Sequence, residues 1–492
     1  MKIYDVAIIG AGITGTAIAR ELSKYKLKTV LIDKEVDIAF GGATKANTGI
    51  IHAGYDDPPG SNRAKYCPKG NSLWPKLAKE LEIPFKQTGS FVVAFNEEDV
   101  KELENLLERG RKNGVPRLEI IHDKKRLAQM EPHLSPRAVA ALWAPTAGII
   151  SPYEAAIALA ENARENGVEI LLETRVEKVK VENGEVRGVE TSRGFIPAKV
   201  VVNAAGLYAD EISRTAGVDY FTIHPRKGEY HIYDKRLGHL ARRPLFPTPT
   251  PISKGIVVTP TVEGNLLIGP NAKDISDKED TSTTREGLDE VMRGAAKLIP
   301  GIEKYRRLII RNFAGLRAEP STRDFIVEAY DDPRGFINVA GIRSPGLTSA
   351  PAIAQAVAEM IAEKELLKLQ KKEKFNPYRK AIPRVAEMPP SEANKLIKEK
   401  PEYGHIICRC EHVSEGEVVE AIRRGATTLD GVKLRTRAGM GRCQGGFCTY
   451  YVLKILAREL GIPEEKVTKR GKGSELFPYK VKELVRRDEN AS

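Results

Sequence analysis

At 492 residues, 41% of them hydrophobic and 29% charged, the chain has material for about three domains of the usual ~150 residues, or two large ones with a small appendage. That composition excludes a disordered chain, a fibre and a disulfide-stapled mini-scaffold. The 78 Lys and Arg outnumber the 66 Asp and Glu for a net +12, and the surplus is uneven: residues 371–492 hold 26 basic and 17 acidic side chains, a net +9, which leaves +3 for the first 370.

The first residues run directly into an apolar strand, Tyr4–Ile9, without the pattern of a secretory signal, and no apolar run reaches membrane-spanning length. A cytoplasmic protein is expected, with any membrane contact made through a partner. A helical period follows through Ile13, Ala17, Ile18 and Leu22, then a second strand, Thr29–Ile32, ending at Asp33. Residues 41–60 are rich in Gly, Thr, Asn and Pro and read as an extended loop. Helices are expected near 70–82, 97–113 and 151–166, and strands alternate with turns from 168 to 270. Phe336–Ala340 reads as a last strand before a long amphipathic helix over Ala350–Leu369. Residues 371–403 carry five prolines and many lysines without apolar periodicity and read as a linker. A compact segment over 404–470 holds four of the five cysteines, and 471–492 is a charged tail. The basic residues of this half are scattered and accompany no nucleic-acid motif, so they point to an acidic protein partner rather than nucleic acid. Glutamine is scarce, with five in the chain, while Lys and Glu abound, as in hyperthermophile proteins.

Gly10, Gly12 and Gly15 form a G-x-G-x-x-G between the first strand and first helix, and Asp33 closes the second strand. Gly10 permits the tight turn, Gly12 lets a pyrophosphate approach the backbone, and Gly15 lets helix and strand pack closely. The helix N-terminus at Ile13 and Thr14 then faces the pyrophosphate. Asp33, with Lys34 beside it, suits ribose hydroxyls and repels a 2′-phosphate. A second strand-to-helix turn, Gly341–Thr348, suits a longer cofactor with a further ring system. The loop Thr44–Gly54, with Asn47, Thr48, Ile50 and His52, resembles the pyrophosphate-to-ring segment of flavoproteins. With Val202–Asp210 and Gly341–Thr348, these pieces make residues 1–370 similar to the FAD-dependent D-amino-acid oxidase/glycerol-3-phosphate dehydrogenase superfamily. The resemblance implies an α/β fold: a Rossmann-like FAD-binding domain with an inserted antiparallel-sheet substrate domain. It places Val176 at the adenine, and Ala205, Gly206, Gly315, Gly346, Leu347 and Thr348 near the cofactor.

Cys408 and Cys410 form a C-x-C, and Cys443 and Cys448 a C-x4-C wrapped in glycines that can aim backbone N–H groups at sulfur. Zinc modules more often use C-x2-C pairs, so an iron–sulfur site leads over zinc and over two disulfides. Arg409, Arg437 and Arg442 would offset the charge of a four-thiolate cluster. The stretch Lys433–Cys448 resembles the small helical [2Fe-2S] domain of bacterioferritin-associated ferredoxin type, which closes the A subunit of anaerobic glycerol-3-phosphate dehydrogenases. Cys67 reads as a buried, inert thiol.

Ala314–Asp324 is the anion-site candidate. By the same resemblance Arg317 lies over the flavin, Arg323 grips a phosphate, and Arg343 stands where relatives carry lysine. Arginine's planar fork suits both phosphate and carboxylate. Tyr230 matches a substrate-facing position and Lys254 could add positive charge. Asp56 and Asp57 depart from the basic–aromatic pair of aerobic membrane relatives, and the loop ending His52-Ala53-Gly54 is shared with L-2-hydroxyglutarate oxidoreductases. The leading expectation is an FAD-dependent oxidation of sn-glycerol-3-phosphate to dihydroxyacetone phosphate. His52 is the chosen base, since a histidine's usual pKa of ~6.5 suits the task. Electrons would leave through the [2Fe-2S] centre to a flavoprotein or iron–sulfur subunit in a hetero-oligomer. The rival readings are a 2-hydroxy-acid or amino-acid dehydrogenase, and a non-catalytic electron-transfer subunit.

Overall fold

A computed structural model describes residues 2–249 and 255–477. The chain divides into two compact units, Met1–Arg379 and Lys380–Ser492. Lys254 and the end of the expected charged tail, 478–492, lie outside the described residues.

The first unit is built on an eight-stranded sheet whose centre is parallel. Tyr4–Ile9 pairs in parallel with both Thr29–Ile32 and Gly194–Asn203, and Thr29–Ile32 pairs in turn with Glu169–Leu171. Phe336–Ala340 adds on the far side of Gly194–Asn203, again in parallel. These strands are nearly uninterrupted apolar runs because helices cover their faces. Helix Ile13–Leu22 packs against helices Pro152–Glu165 and Gly346–Glu363, and the last of these packs also on helix Asn62–Glu80. The last helix of this unit differs from expectation: it begins at Gly346 and is buried along most of its length instead of showing one apolar face. Its small residues, Ala350, Ala352, Ala354, Ala356 and Ala358, permit that close enclosure.

A nine-stranded, mostly antiparallel sheet forms the inserted domain. Its longest pairing joins Ile223–Tyr233 to Ile309–Pro320, with Arg226 opposite Arg317 and Tyr230 opposite Phe313. The loop expected over 41–60 contains a short helix, Gly42–Lys45, and a two-residue strand, Ile50–Ile51, which pairs with Gly148–Ile150.

The expected linker is partly structured. Residues 371–379 belong to the first unit: the Lys372 N–H donates to the Lys24 carbonyl at 2.8 Å, and Arg379 Nε lies 2.5 Å from Glu161. In the second unit Pro390 opens a helix, Pro390–Glu399, because proline is tolerated at the first helical position. A two-stranded antiparallel pair, Ile406–Cys408 with Val413–Ser414, follows, and helices Glu415–Arg423, Leu429–Thr436 and Thr449–Leu460 pack around Val418, Val432, Leu453 and Leu456. Among the described residues no helix is long and apolar enough to cross a membrane.

Candidate functional site

The three fingerprint glycines have different physical reasons. A Cβ on Gly10 (φ +102°) would lie 2.4 Å from the Ala204 carbonyl oxygen, and one on Gly15 would lie 1.9 Å from the Gly10 oxygen. Both are demanded by the protein's own packing. A Cβ on Gly12 would meet only the Thr44 hydroxyl, at 3.1 Å, so the ground before it is open. Gly12 caps helix Ile13–Leu22 without a side-chain hydrogen bond, and the hydroxyl of Thr44 takes the Ile13 N–H at 3.0 Å. Thr14 and Gly15 follow in the first turn, whose N–H groups precede the helical ladder and favour an anion.

Asp33 accepts from the N–H groups of Ala11 at 2.5 Å and Glu35 at 2.8 Å, and burial pushes its carboxyl up. The Thr174 N–H donates to the Asp33 carbonyl, which ties half-buried Val176 and its strand to this corner. Lys34 Nζ lies over the Tyr208 ring at 4.2 Å and near Glu279, so its charge is already engaged. The Ala205 N–H donates to Asn203 Oδ1 at 3.3 Å behind the Gly10 turn, while Gly206 (φ +60°) faces open space.

The 44–52 loop is held at both ends. A Cβ on Gly315 would lie 2.0 Å from the Ala46 carbonyl oxygen, so the strand carrying Arg317 sits directly on the loop. Asn47 braces the loop internally, donating to the Ala43 and Thr44 carbonyls and accepting from Gly49. Thr48 is half-buried between them and Ile50 is buried in its short strand. At the far end the His52 N–H donates to the Thr348 hydroxyl at 2.9 Å, and His52 Nε2 stands 3.4 Å from Ser344 Oγ. Gly346 has no room for a side chain beside Ile342, and the Leu347 and Thr348 carbonyls both accept from the Trp74 indole.

Sequence reading missed the supports of this turn. Helix Asn62–Glu80 supplies fully buried Trp74, Gly70, whose Cβ would lie 2.1 Å from the Thr348 oxygen, and Asn71, which donates to the His52 carbonyl at 2.9 Å. A glycine next to an asparagine in mid-helix was the available signal. Cys67 is fully buried on the same helix.

Arg317 donates through Nη2 to the Asn271 carbonyl at 3.1 Å, while its buried Nη1 has no hydrogen-bond partner. The guanidinium faces the buried phenol of Tyr230, which burial pushes up and Arg317 pulls back. Tyr230 is stacked on Phe313 with ring centroids 4.5 Å apart. Asn271, another missed residue, exchanges hydrogen bonds with buried Glu229 and so fixes the carbonyl that holds Arg317. Arg323, the other expected grip on the phosphate, stands exposed at φ +64° in the turn beyond the strand that carries Arg317. Arg343 is paired with Glu319 at 2.9 Å. Asp57 is nearly buried and lies 3.3 Å from Arg63, which also approaches Asp324 at 3.5 Å. The acidic departure in the loop is thus used in an internal ion-pair network.

In the second unit no disulfide joins any cysteine. Among the described residues no three His, Cys, Asp or Glu side chains gather as ligands of a single ion. The four thiols stand instead as two pairs, Cys408 with Cys448 and Cys410 with Cys443. The Cys408 thiol is pulled down, first by the hydrogen bond from Cys448 and further by the N–H groups of Gly439, Glu411 and Cys410. The N–H groups of Phe447 and Gly445 serve Cys443. Gly441 abuts Cys410, where a Cβ would lie 2.3 Å from the cysteine Cβ. Two thiol pairs ringed by backbone donors fit a two-iron cluster. Of the three arginines, Arg437 is buried and paired with Glu411 at 2.9 Å, while Arg409 and Arg442 are exposed.

Comparison with known proteins agrees with both halves. The family described as "FAD dependent oxidoreductase" matches residues 5–360, and the "BFD-like [2Fe-2S] binding domain" matches 406–458. A glycerol 3-phosphate dehydrogenase of Caloramator mitchellensis is 48% identical over 98% of this chain and 100% of its own length. A glycerol 3-phosphate oxidase of Mycoplasma genitalium is 35% identical over 77% of this chain and 98% of its own. The dithionite-reduced L-alpha-glycerophosphate oxidase of Mycoplasma pneumoniae, solved with FAD bound, superposes with a TM-score of 0.71 at 33% identity, covering 77% of this chain and 98% of that one. The chain belongs to the FAD dependent oxidoreductase family and carries a BFD-like [2Fe-2S] domain after it. Its cofactors are accordingly FAD and a [2Fe-2S] cluster.

Proposed function

We propose that this chain oxidises sn-glycerol-3-phosphate to dihydroxyacetone phosphate and passes the electrons through its [2Fe-2S] domain to a partner protein. The observation that carries the substrate is Arg317: a half-buried arginine whose buried Nη1 has no hydrogen-bond partner, on a strand packed against the loop that ends at His52. A buried cationic donor left without a partner is costly unless an anionic ligand completes it. The identity with glycerol 3-phosphate enzymes over three quarters of the chain or more supports phosphate-bearing glycerol as that anion.

The fingerprint turn, Asp33, the 44–52 loop and the Gly346–Thr348 turn would hold FAD; Gly12 leaves the open approach that a pyrophosphate needs. When bound, FAD supplies the acceptor for the hydride leaving C2. Arg317 orients the substrate through charge-assisted hydrogen bonds, and Tyr230 walls the pocket beside it. His52 takes the C2 hydroxyl proton. Its backbone is fixed by Thr348 from one side and Asn71 from the other, which holds the imidazole for that transfer. Arg343, already paired with Glu319, contributes structure more than free charge. Arg323 and Lys254 remain phosphate-grip proposals, Arg323 from an exposed turn.

Anaerobic bleaching of the bound flavin tests the reading. Glycerol-3-phosphate should bleach it, and L-2-hydroxyglutarate, proline and sarcosine should not. Bleaching by one of the latter three alone would overturn the substrate.

A further inference from the structure

The [2Fe-2S] domain is asymmetric. Cys408 and Cys448 are buried in its core at 1% and 2% exposure, while Cys443 is exposed and Cys410 half-exposed. A continuous aromatic stripe starts at that open side. Phe447, whose N–H serves Cys443, has the exposed Arg409 over its ring at 4.3 Å and Tyr451 beside it at 5.6 Å. Tyr451 meets Tyr450, Tyr450 meets Phe477 at 6.3 Å, and Lys454 lies over the Tyr450 ring at 5.3 Å. Phe447, Tyr450, Tyr451 and Phe477 are each 40–47% exposed. Aromatic side chains grouped on a surface, with cations resting on their faces, have the chemistry of an interface core. Scattered single exposures would need no explanation; a contiguous row beside an electron exit does.

We propose that this stripe is the docking face for an acidic one-electron carrier protein, which takes electrons at the Cys410/Cys443 edge. The proposal rests on the reading that electrons leave through the cluster. Charge selects the occupant. Arg409 and Lys454 lie on the stripe, Arg442 precedes Cys443, and residues 371–492 are net +9. A second copy of this chain carries +12, so it is not drawn to a cationic face. A carrier whose prosthetic group is ringed by carboxylates is. Each encounter moves one electron: the cluster is oxidised and the carrier's flavin or iron centre is reduced. Two carriers clear the two electrons released by oxidation of one secondary alcohol. Electron-transfer encounters use small interfaces, and a stripe of four aromatics matches that scale.

The test is calorimetric titration of the dithionite-reduced, full-length holoprotein with flavodoxin, an acidic one-electron carrier, at low and high salt. Wild type should bind at low salt and lose affinity as salt rises. Lys454→Glu and the pair Tyr450→Ser/Tyr451→Ser should each weaken binding at least tenfold, with Lys454→Arg restoring it. Iron content, the reduced-cluster EPR signal and substrate bleaching of the flavin should stay as in wild type. Failure of wild type to bind, or variants that bind as wild type does, would overturn the proposal. It is equally overturned if the variants slow flavin-to-cluster transfer within the chain, or dissolve a wild-type dimer in sedimentation. It also falls if deletion of residues 478–492 raises affinity tenfold, since that segment would then be the occupant. Reduction by dithionite keeps the binding result independent of whether glycerol-3-phosphate is the substrate.

Discussion

The His52 backbone N–H donates to the Thr348 hydroxyl at 2.9 Å across 296 positions of sequence, so the candidate base hangs from the turn that opens the last long helix. Thr348 is fully buried, and its hydroxyl is committed to His52. Thr348→Val keeps the volume and removes the acceptor. Orphaning the His52 N–H costs about 1–3 kcal/mol. Turnover should fall roughly tenfold or more while the Michaelis constant moves less, measured by steady-state kinetics with an artificial acceptor. Unchanged turnover would detach His52 from this turn.

Gly12 and Gly15 make opposite predictions. Gly15→Ala forces a Cβ into the Gly10 carbonyl and should lower the melting temperature even of flavin-free protein. Gly12→Val meets only the Thr44 hydroxyl, a side-chain atom that can shift, and should fold, yet emerge without flavin, because the branched side chain occupies the pyrophosphate approach. Visible absorbance and a thermal melt on both variants separate the cases. A yellow, stoichiometrically flavinated Gly12→Val protein would remove the fingerprint from the cofactor site.

How much of this was legible in the sequence follows from the range of each interaction. The glycine fingerprint and Asp33 are local in the chain, so strand, turn and helix could be read together, and the C-x-C and C-x4-C pairs likewise. The inserted antiparallel sheet followed from resemblance and not from periodicity. What escaped were partners joined only by the fold. Asn71 reaches His52 from a helix that reads as ordinary, and Asn271 holds Arg317 from 46 residues away. Arg63 answers Asp57 through a bend that no local pattern marks. The outward turn at Arg323 also escaped, because a motif carries residues but not the strand end that follows them.

Arg317 and Arg323 should therefore differ. Arg317→Ala removes a charge-assisted contact worth roughly 1.5–3 kcal/mol, which raises the Michaelis constant for glycerol-3-phosphate about ten- to a hundredfold. Arg323→Ala, at an exposed turn, should change it by much less. Equal losses in the two variants would restore Arg323 to the pocket, and an unchanged constant in Arg317→Ala would empty it.

Glu417 gives the [2Fe-2S] unit a pH dependence. Burial pushes its carboxyl up to about 7, against the hydrogen bonds it accepts from the Ser414 N–H and hydroxyl. An acid raised in the folded state holds its proton there while the unfolded chain, titrating near 4.5, has lost it. Its contribution is full below about pH 4.5 and is lost as pH rises to about 7, after which it is flat. Glu417→Gln should flatten that slope. Heating the holoprotein at pH 5 and pH 8, with cluster absorbance as the signal, should show a smaller difference in midpoint for the variant. Identical differences would remove Glu417 as the source.

The thiol pairs decide what the second unit holds and where its electrons go. Four sulfurs in two pairs, with backbone N–H groups aimed at them, predict two irons and two sulfides per chain and a rhombic EPR signal on reduction. One zinc with no labile sulfide would overturn that. Cys443 is the exposed ligand candidate, so Cys443→Ser should disturb the cluster without emptying the core that Cys408 and Cys448 help to fill. The flavin site belongs to the other unit and should still bleach with substrate in this variant. Transfer to a one-electron acceptor protein should be lost if, as proposed, the route out passes through the disturbed cluster. The N-terminal fingerprint is committed to FAD and no second full G-x-G-x-x-G follows in the sequence to hold NAD. Direct, efficient reduction of NAD by wild type or by Cys443→Ser would mean that the electrons have another exit.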